Sequence, residues 1–370
     1  MNPNPQLNLR TSTQTSTQNL DETSNESAGE ASNEAIDKAT HAAMLGATKR
    51  VGWEAINRLP GTGFEAAASD LLTPDSLWVV SHPVNQLVGP AAVAGGLFAP
   101  LLAALPDLER RTDLFFGGWW DGKITGGEGW WVTCTGHYLG TFRADLFGIP
   151  ANGEPVWLRF GEFYRIENGR IAEARIMLDL VDLARQVGCP ILPKPSGMEL
   201  LVPGPRTQNG LLLADSNPAQ GQACLELVMR MIGGLSSYDK NDLKSMGMTR
   251  FWHPDMMWYG PGGIGTSRSI SGFEQHHQRP FLAAIPDRKG GNHRARFGEG
   301  AYAASTGWPS IHATHLGPYL GVPASHQPVT MRVMDWWRAE QGLLVENWVL
   351  LDLPHFFLQM DVDILARAKG

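Results

Sequence analysis

At 370 residues and a formal net charge of −7, the chain is long enough for two domains of ordinary size. Its first 35 residues set one arginine against five acids, −4 of that −7, so the remainder is close to neutral and offers no basic stripe for a nucleic-acid backbone. Three cysteines, Cys134, Cys189 and Cys224, are odd in number and unpaired in spacing, forming neither a disulfide framework nor a CxxC metal site, which points to a reduced, cytoplasmic protein.

Residues 1–35 are rich in Ser, Thr, Asn and Gln and have almost no large apolar side chain, so they are expected to be a disordered tail. They lack the basic and apolar regions of a secretory signal. Helical text runs from Glu34 to Leu59, followed by a short strand carrying Trp78. Val84 to Pro106 is uncharged, but Pro90, Gly95, Gly96 and Pro100 interrupt it; it reads as a partly buried helix ending in LAALPD, with no membrane span. The text then turns to strands separated by Gly, Pro and Asn-Gly turns: WWVTCTGHYLGTF, VWLRFGEFYRI and GRIAEARIMLDL. Residues 189–218 are a Pro/Gly-rich linker. After it the order repeats, with a helix over Ala223 to Met246 that places Leu225, Val228, Met231 and Ile232 on one face, a strand carrying Trp258, and a helix ending in LAAIPD.

The repetition is one of sequence as well as of order. PLLAALPD (100–107) returns as PFLAAIPD (280–287), and Pro74, Asp75 and Trp78 return as Pro254, Asp255 and Trp258, all at an offset of 180. FGIPANGEPVWLRFGEFYR (147–165) is echoed by LGVPASHQPVTMRVMDWWR (320–338) at an offset of 173, so the second copy lacks seven residues between Asp107 and Gly148. The unit is a whole domain, too long for a solenoid repeat. Two α+β domains, 36–188 and 219–370, are expected, each with helices on one side of an antiparallel sheet.

Alternation along the strand after GIP or GVP locates the candidate chemistry. One face carries Val156, Leu158, Phe160, Glu162 and Tyr164 in the first copy, and Val329, Met331, Val333, Asp335 and Trp337 in the second. A carboxyl among apolar side chains has a raised pKa, which suits proton transfer near neutral pH. His137 and His315 precede the same turn on the expected neighbouring strand and are candidate partners for these acids. His312 and His315 point to opposite faces and make poor joint metal ligands, and no metal site is expected. His276, His277 and His293 are expected at solvated or interface positions.

The pattern TGHxxG…GIPxxGxxV…FYRIENGRI…E…D…ARQVG, carried by Gly136, His137, Gly148, Pro150, Gly153, Arg165, Asn168, Gly169, Ile171, Asp179 and Gln186, resembles the SnoaL-like polyketide cyclase family of the NTF2-like superfamily. The second copy repeats it with His315, Gly321, Pro323, Arg338, Gly342, Glu346, Trp348, Asp352 and Gln359. The resemblance implies tandem NTF2-like cones, in which helices wrap a curved sheet around an open pocket. It also implies cofactor-free ring closure by an aspartate assisted by a histidine. Asp335 or Glu162 is the first choice for that acid, Asp352 or Asp179 the second. Trp258, Tyr259, Trp337 and Trp348 in the second copy, with Trp78 and Tyr164 in the first, are expected to line the pockets. Two functions follow: a cyclase, isomerase or lyase acting on an aromatic or polyketide-like carbonyl compound, or a module that binds an apolar ligand or a protein partner. The copies are expected to meet as subunits of a homodimer would, with further oligomerisation of the chain left open. The second copy is the expected catalytic one, because Trp348 replaces Arg175, which would hold Glu162 ionised in the first.

Overall fold

The computed structural model describes residues 19–123 and 125–369. The chain divides into two units, residues 1–44 and 45–370, and the sheets and sites described below belong to the second. The tail expected over 1–35 lies outside the described residues as far as residue 18, while from Asn19 the chain is helical to Arg58, so the helix begins before the expected Glu34.

Each copy has its own sheet. In the first, β1 (Leu72–Val80), β2 (Gln86–Val88), β3 (Glu109–Trp120), β4 (Gly129–Thr141), β5 (Pro155–Glu167) and β6 (Arg170–Leu178) pair in the order β2-β1-β6-β5-β4-β3. In the second, β7 (Trp252–Tyr259), β8 (Ser267–Arg268), β9 (Lys289–Gly290), β10 (Ala295–Glu299), β11 (Tyr302–Thr314), β12 (Pro328–Glu340) and β13 (Leu343–Leu351) give β10-β11-β12-β13-β7-β8, with β9 on β11. These are open α+β sheets with helices on one face, as two SnoaL/NTF2-like domains require. Strand β3 escaped the sequence reading because its ERRTD start is charged, although Leu114, Phe115 and Phe116 are fully buried.

The helix of each copy that ends in LAALPD or LAAIPD repeats in detail. It runs over 90–104 and again over 269–284, and in both a widened π-helical turn sits at the same point, Ala94–Phe98 and Glu274–Gln278. The helix expected over Ala223–Met246 runs from Pro218 to Leu235 instead. Asn217 caps its start by accepting from the Ala219 amide, and Ser236 and Ser237 follow a Gly233–Gly234 pair at its end, where helix propensity is poor. Most of the missing residues of the second copy come out of one hairpin: the loop between paired Trp120 and Gly129 in the first copy shrinks to the two residues between paired Glu299 and Tyr302 in the second.

The two sheets pack face to face through a second hydrophobic core that includes Phe116, Trp131 and Phe163 from the first copy and Phe297, Trp336 and Leu350 from the second. Trp336 Nε1 donates to Thr133 Oγ1 at 2.8 Å, and its ring lies over Gly161, where a Cβ would come within 2.4 Å of it. Reciprocal contacts flank this core. Asp179 accepts from the Gly262 amide at 2.8 Å, and Asp352 accepts from the His82 amide at 3.0 Å. Asp179 and Asp352 are repeat equivalents, and so are His82 and Gly262, so residue i meets j and j meets i, as in an isologous interface.

Candidate functional site

The faces opposite this interface form the two domain interiors, and there Glu162 and Asp335 are repeat equivalents in contrasting surroundings. In the first copy β4 holds Cys134 and Tyr138 on the same face as Glu162, and β3 supplies Arg110. Arg110 donates to both carboxylate oxygens, at 3.1 and 2.5 Å; Tyr138 Oη donates at 2.5 Å and Cys134 Sγ at 3.0 Å. Burial alone would raise the pKa of Glu162, but the charge and hydrogen bonds of Arg110, with those of Tyr138 and Cys134, outweigh it and hold the carboxyl below its usual range. The guanidinium lies 4.1 Å from the Phe160 ring centre. With Trp78, Leu97, Phe98 and Tyr164 packed around this cluster, no space for a water molecule remains.

The second copy replaces each of those partners. Gly290 takes the place of Arg110, Ser305 pairs with Asp335 where Cys134 pairs with Glu162, and Ile311 pairs with Met331 where Tyr138 pairs with Leu158. Asp335 keeps a single side-chain bond, from Asn347 Nδ2 to Oδ1 at 3.3 Å. Burial pushes its carboxyl up to about 7, against the Asn347 bond and the charge of Arg296. It lines a cavity of about 210 Å³, which is small beside typical ligand pockets of about 300–1,000 Å³ and suits a molecule of one or two rings.

The cavity wall is mostly apolar, but at several places it carries polar atoms that the first copy lacks. Trp252, His277, Gln278, Arg288, Trp337 and Asn347 stand at the positions of Leu72, Leu97, Phe98, Leu108, Tyr164 and Ala174. Trp252 Nε1, His277 Nδ1, Gln278 Oε1, Arg288 Nε and Trp337 Nε1 are buried without a partner among the described residues. Each such atom costs about 1–3 kcal/mol unless something bonds it, so packing alone gives no reason for this set. His277 stacks on Trp258 at 4.3 Å, and burial lowers its pKa to about 3. His293 meets Ser305 Oγ through Nδ1 at 2.7 Å and is likewise lowered to about 3, by burial first and by Arg296 second. Both imidazoles are therefore neutral at pH 7.

Of the residues expected here, the structure brings Asp335, Trp258 and Trp337 together around the cavity. Glu162, Trp78 and Tyr164 share the sealed interior of the first copy. Neither histidine joins its acid. His137 pairs with Arg159 on the opposite strand face, with Nδ1 3.6 Å from Asp113 Oδ2, and lines with Arg159 and Asp179 a crevice of only about 20 Å³. His315 lies past the end of β11, fully buried, with Nδ1 3.2 Å from Ser325 Oγ, and is not among the cavity residues. Tyr259 and Trp348 stack on each other at 5.3 Å inside the core between the sheets, because Asn347 and Val349 take the cavity-facing positions of β13. Arg175 is on that interface side as well, 2.8 Å from Glu173, so the cation that holds Glu162 ionised is Arg110. Asp179 and Asp352 cap the helices Leu180–Gln186 and Leu353–Leu358 besides joining the copies. The histidines that do reach the cavity, His277 and His293, had been assigned to solvent or interface. The signal for His277 lay in the repeat: at the same offset that matches LAALPD with LAAIPD, His277 and Gln278 replace Leu97 and Phe98.

Among the described residues, no three His, Cys, Asp or Glu side chains are placed to hold a metal ion, and no helix is long and apolar enough to cross a membrane. The family model for the SnoaL-like polyketide cyclase matches residues 54–187 and 235–360. No curated protein matches at a significant level. Among solved structures, a protein of Jannaschia sp. CCS1 described as a SnoaL-like polyketide cyclase is 17% identical, the match covering 39% of this chain and 95% of that one with a TM-score of 0.31. IdmH of Streptomyces antibioticus, described as a polyketide cyclase, is 23% identical over 36% of this chain and 98% of its own, with a TM-score of 0.30. An NTF2-like protein of Burkholderia xenovorans LB400 is 12% identical over 38% and 97%, with a TM-score of 0.30.

Proposed function

Because the chain belongs to the SnoaL-like polyketide cyclase family, with both copies matched, we propose that its second copy is an acid/base enzyme acting on a small aromatic or polyketide-like carbonyl compound, and that Asp335 moves the proton. The observation that carries this reading is the divergence of the copies: the acid is tied to Arg110 and sealed in one, and stripped of those partners beside an open cavity in the other. Ionised Asp335 takes the proton from the carbon α to the carbonyl, and the C–H electron pair becomes the enolate. The acid so formed returns the proton to the product. The enolate attacks a second carbonyl in a cyclase, is reprotonated elsewhere in an isomerase, or expels a β-substituent in a lyase. A pKa of about 7 suits both directions of transfer near neutral pH. The unpartnered indole N–H groups of Trp252 and Trp337 are donors available to the oxygen on which charge develops.

Exchange of the α-protons of 2-tetralone in D₂O, followed by proton NMR, tests the reading without knowledge of the natural substrate. The protein should speed exchange and Asp335→Asn should slow it by roughly 10²-fold or more, with the rate rising as pH passes about 7 because the base must be ionised. A second reading, a binding module without catalysis, is favoured by the placement of His315 outside the cavity. It predicts binding of 2-tetralone with no accelerated exchange.

A further inference from the structure

Asp335 is not the only charged side chain on the cavity wall. Arg288 follows the LAAIPD helix and stands where the first copy has Leu108. Its Nη2 donates to the Leu235 carbonyl at 2.9 Å and lies 3.9 Å from Met246 Sδ, while Nε is buried with no partner among the described residues. Among the described residues no carboxylate pairs with it, and the one neighbour that favours its charge is the Tyr238 phenol. Capping the helix Pro218–Leu235 uses one N–H of the five a guanidinium offers. A lysine would serve that purpose, and the matching place in the first copy does without any cation. Placing an unpaired cation on a mostly apolar wall is costly unless an anion arrives to meet it.

We propose that Arg288 anchors a carboxylate carried by the ligand, so that the compound taken by this cavity is an aromatic or polyketide-like acid with its carbonyl group on the same skeleton. The planar fork of Nε–H and the free Nη protons matches a carboxylate edge-on. A phosphate dianion is a poorer fit, because the other titratable groups on the wall, His277, His293 and Asp335, offer no second positive charge. This inference rests on the proposed use of the cavity and adds the charge of its occupant.

The test compares 2-naphthoate with 2-naphthamide, equal in shape and different in charge, by calorimetric titration at pH 6, where Asp335 is mostly protonated and does not repel an anion. The acid should bind more tightly than the amide. Arg288→Leu, which installs the side chain of the first copy, should weaken the acid roughly ten- to a hundredfold and the amide less than about twofold. Arg288→Lys keeps a cation at the helix end and should restore only part of the loss; it carries the test alone if the leucine variant does not fold. Equal affinity of acid and amide for the unaltered chain, or acid binding indifferent to Arg288→Leu, overturns the carboxylate anchor and leaves the cavity reading standing. Failure of both probes to bind the unaltered chain overturns both together.

Discussion

Replacing Asp335 by Asn should stabilise the protein at pH 8 while removing its activity. The folded-state pKa of about 7 lies above the ordinary value of 3.8. Well below pH 3.8 the carboxyl is protonated whether the chain is folded or not, and no penalty exists. As pH rises the unfolded chain releases the proton while the folded chain keeps it, so stability falls until the folded carboxyl ionises near 7 and then levels off. The gap between 3.8 and about 7, at about 1.4 kcal/mol per unit, comes to roughly 4 kcal/mol. Partial exposure of Asp335 trims this, and about 2–4 kcal/mol is the expected gain for Asn, whose carbonyl still accepts from Asn347. For a domain of 150–250 residues each kcal/mol moves Tm by about 2–4 °C, so the variant should melt about 5–10 °C higher at pH 8 and within about 2 °C of the unaltered chain at pH 4. Calorimetry across that range reads the difference. A Tm gap that does not change with pH, or a variant less stable at pH 8, refutes the raised pKa.

Glu162→Gln should do the opposite, costing about 3–5 kcal/mol because it leaves Arg110 buried without its counter-charge, yet leaving 2-tetralone exchange within about twofold; a large loss of exchange in folded protein would place chemistry in the first copy. Gly161→Ala drives a Cβ into the Trp336 ring and should cost about 1–3 kcal/mol, read by urea denaturation, whereas a neutral effect would mean the sheets can slide apart without cost. Gln278→Leu removes a buried carbonyl that has no partner; it should raise Tm and weaken 2-tetralone binding several-fold, and unchanged binding would show that this wall position does not meet the ligand.

The fold was legible because duplication let each copy check the other, and because strict alternation on β5 and β12 assigned both acids to the interior without a neighbour being known. What failed was inference across strands. Two residues that both precede a GVP or GIP turn need not share a face, and His137 and His315 are not repeat equivalents: Ile311 stands at the place of Tyr138, so His315 matches Phe142 and lies beyond the strand. Placing Arg175 and Trp348 against the acids failed for the same reason: one step along a strand exchanges cavity for interface, and both residues are one step from the side chains that face inward, Ile176 and Asn347. The sealing of the first copy could have been read from Arg110 and Gly290, which match at the offset of 180. That β3 would lay Arg110 across Glu162 depends on strand pairing, which sequence spacing alone does not encode.

A crystal structure of the chain grown with 2-tetralone tests most directly whether one copy is open for chemistry and the other closed. The ring should lie in the second copy, with its carbonyl-bearing edge toward Asp335, and the Arg110–Glu162 pair of the first copy should be unchanged. A ligand ordered inside the first copy, or bound only beyond the reach of Asp335, would contradict the assignment.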